Sequence, residues 1–207
     1  RWWVRTRRPP YFVYPGAPGT LGTLGYVNAA FEMKDQWRAM EQGEPEAMFV
    51  AVGSCGTFAG LLLGARLAGI GSRIVGVRVI EEDVANRPKI ARMVNRAARY
   101  LRQRDPAVPR IEIGPQEVDL VDGYLGPGYA HPTEEGRQAV ALAAQTEELP
   151  LETTYTGKAM AALLHDLPSN PGDVMFWCTY GGQRLPVTAE KPDELRNIPL
   201  EFARYYA

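Results

Sequence analysis

The chain has 207 residues, 45% hydrophobic and 23% charged, a globular composition that argues against disorder or low complexity for most of its length. Its formal net charge of −1 gives no global pull toward nucleic acid or an acidic membrane, and no apolar run is long enough to span a bilayer. Cys55 and Cys178 form no CxxC pair and complete no ligand spacing with His131 and His165, so neither a disulfide framework nor a metal site is expected; a reducing cytoplasm fits.

The first ten residues, "RWWVRTRRPP", do not begin with Met and read as a segment severed from something upstream. Their four arginines suit either an anion-binding arm or a plain linker. "YFVY" (11–14) reads as a short strand stopped by Pro15 and Gly16, and "PGAPGTLGTLG" as a glycine-proline loop. Residues 23–41 have helical spacing, with Leu24, Val27, Phe31 and Met40 supplying an apolar stripe; Gly43 and Pro45 end it. "EAMFVAVG" is then a buried strand, followed by a glycine turn, a helix from about Thr57 to Ala68, and a second strand, "SRIVGVRVI". Strand, helix and strand within about thirty residues make a right-handed βαβ unit with parallel strands.

Residues 88–104 predict an amphipathic helix. Ile90, Met93, Val94, Ala97 and Leu101 line one face; Lys89, Arg92, Arg96 and Arg99 form a basic face that suits phosphates or plain solvent. "VDLVDGYLGPGYAHPTEEG" is a strand leaving into a glycine-rich loop, after which Thr133 caps a helix and Glu134 and Glu135 meet its dipole. "LETTYTGKAMAALLHDL" runs extended into another helix, and "GDVMFWCTYGGQ" is a strand ending in a second Gly-Gly turn. The alternation predicts one α/β domain over 1–207, its sheet mostly parallel and its helices on both faces.

Chemistry concentrates in "GSCGTFAG". Gly53, Gly56 and Gly60 give G-x-x-G-x-x-x-G, which is neither the dinucleotide fingerprint nor a Walker A motif. The physics is shared: a strand delivers backbone N–H groups and a helix N-terminus to one point, where Ser54 and Thr57 add hydroxyl donors. A phosphate monoester is the best guest, and a tight packing turn is the alternative. Cys55 at that helix start is either a stabilised thiolate or a small side chain in a crowded turn. Glu81, ending the second strand, sits where a ribose-binding acid would lie in a nucleotide-binding unit.

"GSCGTFAGLLLGARLAG", "RIVGVRV", "LGTLGYVNAAFEM", "DGYLGPGYAHPTEEG", "YTGKAMAAL" and "TYGGQ" together resemble the D-cysteine desulfhydrase and 1-aminocyclopropane-1-carboxylate deaminase family. The resemblance runs from residue 11 to about 183 and covers the later part of a family member. It implies a tryptophan-synthase-β-like fold with pyridoxal 5′-phosphate as cofactor. It places Gly53, Ser54, Cys55, Gly56 and Thr57 on the phosphate-binding loop, with Cys55 replacing a family glycine. Tyr155 and Tyr129 fall on active-site tyrosines, whereas the residues alone favour Tyr155 as a core residue with its hydroxyl satisfied; Thr179 falls on the threonine that meets the pyridine nitrogen, although Tyr180 interrupts the T-G-G turn there. His131 lies two residues from Tyr129, at a position usually small or aliphatic in the family. Thr156 stands where deaminases proper carry Glu, which is similar to the desulfhydrase branch and implies a more nearly neutral pyridine ring.

Lys158 is the obvious candidate for the Schiff-base lysine. It lies in the first turn of a helix, where a cation opposes the dipole, so a local carboxylate partner or solvent exposure is expected instead. The resemblance places the true Schiff-base lysine, and most of the small domain, upstream of Arg1; Lys34, Lys89 and Lys191 fall on no such motif. The expected activity is therefore that of a pyridoxal-phosphate-dependent lyase or deaminase of a small amino acid. It would release a keto acid and ammonia, with sulfide if the substrate is D-cysteine, and the complete protein is expected to be a homodimer without nucleic-acid or membrane partners. The alternatives are a non-catalytic module binding a phosphate ligand or a partner subunit, and a Rossmann-like nucleotide binder.

Overall fold

The computed structural model describes residues 16–17, 19–167 and 172–181. The strand expected at 11–14, the N-terminal arginines and Lys191 lie outside the described residues. Within them, β1 (Ala47–Val52), β2 (Arg73–Arg78), β3 (Leu120–Val121) and β4 (Val174–Phe176) form one sheet in the order β3-β2-β1-β4, every pair parallel. β1 and β2 are paired along their full length, from Ala47 opposite Arg73 to Val52 opposite Arg78. Their side chains are buried over most of this length, which is why both read as nearly continuous apolar runs rather than alternating ones.

Among the described residues, α1 (Thr20–Ala39) precedes the sheet, and α2 (Gly56–Ala68), α3 (Arg87–Arg104), α4 (Glu134–Thr146) and α5 (Thr156–Asp166) connect its strands. α1, α2 and α3 pack as a layer on one face, around Phe58, Leu61, Leu63, Ile90 and Val94. α5 covers the other face with Ala159, Ala162 and Leu163 on Phe49, Val75 and Val77, and α4 lies against α5. Sequence boundaries agree with most of these elements to within a few residues, but α1 starts at Thr20, inside the segment expected as a glycine-proline loop, so residues 20–25 are helical. Local chemistry explains α3 and α4: Asn86 Oδ1 accepts from the Lys89 amide, and Thr133 Oγ1 from the Gly136 amide, each satisfying a donor that a helix start leaves open.

The stripe expected on α1 is corrected. Its buried residues are Thr23, Val27, Ala30, Met33 and Trp37, while Phe31 and Met40 are exposed. The cause lies on α2. A Cβ at Gly60 would fall 2.5 Å from the Thr23 carbonyl, and one at Gly64 would fall 2.6 Å from the Val27 carbonyl. The two glycines let the backbones meet, and that contact selects the face bearing Thr23 and Val27. Gly60 therefore serves the helix crossing rather than the phosphate turn. On α3, Arg92, Arg96 and Arg99 are exposed, a solvated face.

The chain steps from β1 to β2 to β3 along one direction, with α2 and α3 on one face. It then returns by α4 and α5 on the other face to place β4 beside β1. The order thus reverses between β1 and β4. A crevice at the carboxyl ends of these strands is the general ligand position in open α/β sheets.

Candidate active site

β1 ends at Val52, and Gly53, Ser54 and Cys55 turn the chain into α2. Cys55 has φ 75° and ψ −12°, left-handed backbone that disfavours a side chain by about 1 kcal/mol or more. This is the physical reason for a family glycine at its position. α2 has no side-chain cap and no acidic residue in its first turn, so the amides of its first turn and its positive dipole end face the turn without an internal anion. Ser54 and Thr57 are half-buried beside them. Among the described residues the Ser54 hydroxyl makes one long contact, 3.5 Å, to the Gly16 carbonyl. Backbone donors, hydroxyls and an unopposed dipole fit a phosphate group.

The Cys55 thiol does not act as a second functional group here. It is buried, 3.7 Å from the Gly53 carbonyl and 4.0 Å from that of Val84. Burial pushes the thiol above its ordinary range, more than nearby Lys89 and the Asn86 backbone pull it down. A stabilised thiolate is therefore not what this turn holds; the small-side-chain reading applies.

Tyr155 closes the turn from the opposite face of the sheet. It immediately precedes α5, and its Cε1 lies 3.1 Å from where a Cβ on Gly53 would be. Its hydroxyl is hydrogen-bonded to that of Tyr129, and the two rings meet edge to face with centroids 5.8 Å apart. Burial, the Tyr129 contact and nearby Glu152 push the Tyr155 phenol up to about 12. Gly53, the following turn, Tyr155 and Tyr129 are thus gathered at one place. Thr179 follows β4 and is exposed, with no polar contact assigned to it among the described residues. His131 is also exposed; its amide donates to Gly128.

Three residues play parts that the sequence reading did not assign to them. Glu152 accepts from the amides of Thr154 (2.6 Å), Tyr155 (2.8 Å) and Thr156 (2.6 Å), a carboxylate bracket on the start of α5 that fixes the Tyr155 backbone. An acid just ahead of a helix start was the available signal. Thr156 is buried, and its hydroxyl is engaged with Glu152, at 3.1 Å to the carboxylate. It is committed to its own helix start. Glu81 accepts from the Tyr129 amide at 3.1 Å; its own backbone amide, and then this bond, hold its carboxyl below the ordinary range. That engages the acid expected to meet a ribose.

Lys158 overturns both expected environments. It is fully buried, and its Nζ donates to the Leu125 carbonyl at 2.7 Å rather than to a carboxylate. Burial lowers its pKa, against the opposing fields of Glu152 and Glu81. The other described lysines also donate to backbone carbonyls, Lys34 to Ala68 (2.6 Å) and Lys89 to Val84.

The family of pyridoxal-phosphate dependent enzymes matches residues 4–179. Over 180 residues the chain is 34% identical to the D-cysteine desulfhydrase of Klebsiella pneumoniae (strain 342), covering 85% of this chain and 52% of that protein. Identity and coverage are the same for the D-cysteine desulfhydrase of Yersinia pestis (strain Pestoides F). The chain spans about half the length of the curated relatives it matches. A crystal structure of an ACC deaminase homologue superposes with a TM-score of 0.69 at 30% identity, covering 83% of this chain and 49% of that one. The tryptophan-synthase-β-like fold implied by the motifs is accordingly the fold of this chain. Among the described residues, no helix is long and apolar enough to cross a membrane, and no group of three or more His, Cys, Asp or Glu residues suits a metal.

Proposed function

The chain belongs to the pyridoxal-phosphate-dependent enzyme family, and on that premise we propose that it supplies the phosphate-binding part of a lyase or deaminase of a small amino acid, of the D-cysteine desulfhydrase branch. The supporting observation is the packing of Tyr155 over Gly53, which sets a phenol beside the anion-binding turn. When bound, pyridoxal phosphate supplies an electron sink for charge developing on the substrate. In this reading the amides of Gly56 and Thr57 and the hydroxyls of Ser54 and Thr57 hold its phosphate. Tyr155, pushed up to about 12, stays protonated at neutral pH and acts as a donor rather than a base. Its contact with Tyr129 gives the departing group two phenols that share one proton network. With D-cysteine the departing group is the thiol, and the products are a keto acid, ammonia and sulfide. A cyclopropane amino acid would use the same donors during ring opening. Cytoplasmic location and a homodimer in the complete protein belong to the same proposal.

A second reading, a phosphate-ligand module without chemistry of its own, is favoured by the three described lysines, whose ammonium groups are committed to backbone carbonyls. Titration with pyridoxal phosphate, pyridoxal and inorganic phosphate tests the anion-binding turn. Pyridoxal phosphate is expected to bind at least about tenfold more tightly than pyridoxal, with competition by phosphate and weakening in S54A and T57V. Equal affinity for both vitamers would sink the assignment. Borohydride reduction followed by mapping then locates any labelled lysine. A label on Lys158 would contradict its exclusion as the anchoring residue, whereas binding without a label favours a partial site. In a protein that turns over D-cysteine, Y155F should lower kcat by about 10²-fold or more, the scale of a lost proton donor. Preference for a nucleotide would favour the Rossmann-like alternative.

A further inference from the structure

The loop that carries Tyr129, residues 122–132, has little to order it locally. Gly123, Gly126 and Ala130 have φ of +97°, +70° and +63°, and the backbone between Asp122 and Pro132 forms neither helix nor strand. Tyr129 itself is 42% exposed, so burial does not hold its ring. Yet its hydroxyl meets that of Tyr155. Something outside the loop must fix it.

At the loop's start Arg78 bonds Asp122 at 2.6 Å and His165 bonds the Tyr124 hydroxyl at 2.9 Å; nearer Tyr129, two further side chains reach in from different elements. Lys158, in the first turn of α5, donates to the Leu125 carbonyl at 2.7 Å. Glu81, just beyond β2, accepts from the Tyr129 amide at 3.1 Å. One tether grips a backbone acceptor and the other a backbone donor, four residues apart. A fully buried lysine is otherwise unfavourable, and ionic donors and acceptors make the stronger class of hydrogen bond. A backbone carbonyl is also an unusual sole purpose for so expensive a placement unless the loop's position matters.

We propose that Lys158 is a positioning residue: together with Glu81 it pins loop 122–132, so that the Tyr129 hydroxyl stays on that of Tyr155. The role rests on the reading of the two tyrosines as active-site groups, but the geometry it controls can be measured without turnover. Lys158 moves no proton and anchors no cofactor in this arrangement. It links the start of α5, which holds Tyr155, to the loop that holds Tyr129, and so couples the two phenols mechanically.

Hydrogen–deuterium exchange of the full chain tests this, with α2 and β1 as internal references. K158M keeps the length and apolar stem of the side chain and removes the donor. Exchange over residues 122–132 is expected to be about tenfold faster, with α2 and β1 unchanged. In an ultraviolet titration the Tyr155 phenol, raised by burial and then by the Tyr129 contact, should titrate lower once it parts from Tyr129. E81A should accelerate exchange in the same loop, and E81Q, which keeps an acceptor oxygen, should restore most of the protection. Glu81 is exposed, so this pair carries the test by itself if K158M does not fold. Unchanged loop exchange and an unchanged tyrosine titration in the folded variants would overturn the proposal. If instead the loop loosens as expected while Y155F retains full turnover, the positioning role stands and the catalytic reading of the tyrosines falls.

Discussion

The ring of Tyr155 lies over the backbone of Gly53, with Cε1 3.1 Å from the point a Cβ would occupy. The contact joins the two faces of the sheet at one spot. Gly53 leads into α2 on one side, and Tyr155 leads into α5 on the other. Any side chain at Gly53 must therefore push the phenol, and through it the hydrogen bond to Tyr129.

The substitution Gly53→Ala should be tolerated by the fold. Tyr155 is half-buried and can yield by a few tenths of an ångström, so urea unfolding should report a loss of about 1 kcal/mol or less. The site should not be so tolerant. The Tyr155 phenol is expected to titrate below its present value of about 12, and affinity for pyridoxal phosphate is expected to fall. A tyrosine titration identical to that of the parent protein would show that the contact does not set the position of Tyr155.

Stability should decline in strong alkali in a definite window. The Tyr155 phenol is raised from 10 to about 12, so its contribution is fully present below 10. Between 10 and about 12 the unfolded chain gives up this proton while the folded chain keeps it, and stability falls as pH rises. Urea midpoints measured across this interval should drop less steeply in Y155F than in the parent. Parallel slopes would mean that other groups dominate the alkaline limb.

Glu152 should matter through its charge and its oxygens together. E152A leaves the amides of Thr154, Tyr155 and Thr156 without their acceptor and is expected to destabilise by about 1–2 kcal/mol, the scale of losing a helix N-cap. E152Q retains an oxygen and should lose roughly half as much. Chemical denaturation measures both. Equal stability of E152A and the parent would show that solvent satisfies the start of α5 as well as the carboxylate does.

The two cysteines should differ sharply in reactivity. Cys178 is exposed, whereas Cys55 is buried with its thiol held protonated by that burial. At mildly alkaline pH a thiol reagent should modify one site promptly in the folded protein and two in denaturant, and peptide mapping should assign the fast site to Cys178. Prompt labelling of Cys55 would instead indicate that the turn opens in solution.

The succession of strands and helices, the parallel sheet and the glycine turn after Val52 were legible in the local sequence. These follow from local signals: the apolar runs of β1 and β2, the glycines after Val52, and Thr133 at a helix start. Which face of α1 is buried was legible only in the folded chain, because Gly60 and Gly64 on a different helix make that choice. Likewise, the burial of Lys158, the engagement of Glu81 and the meeting of Tyr129 with Tyr155 join residues 26 to 48 positions apart. No window of sequence contains such pairs. Whether a lysine faces solvent or a carbonyl is fixed by what the folded chain brings against it, and the dipole argument about its own helix could not supply that neighbour.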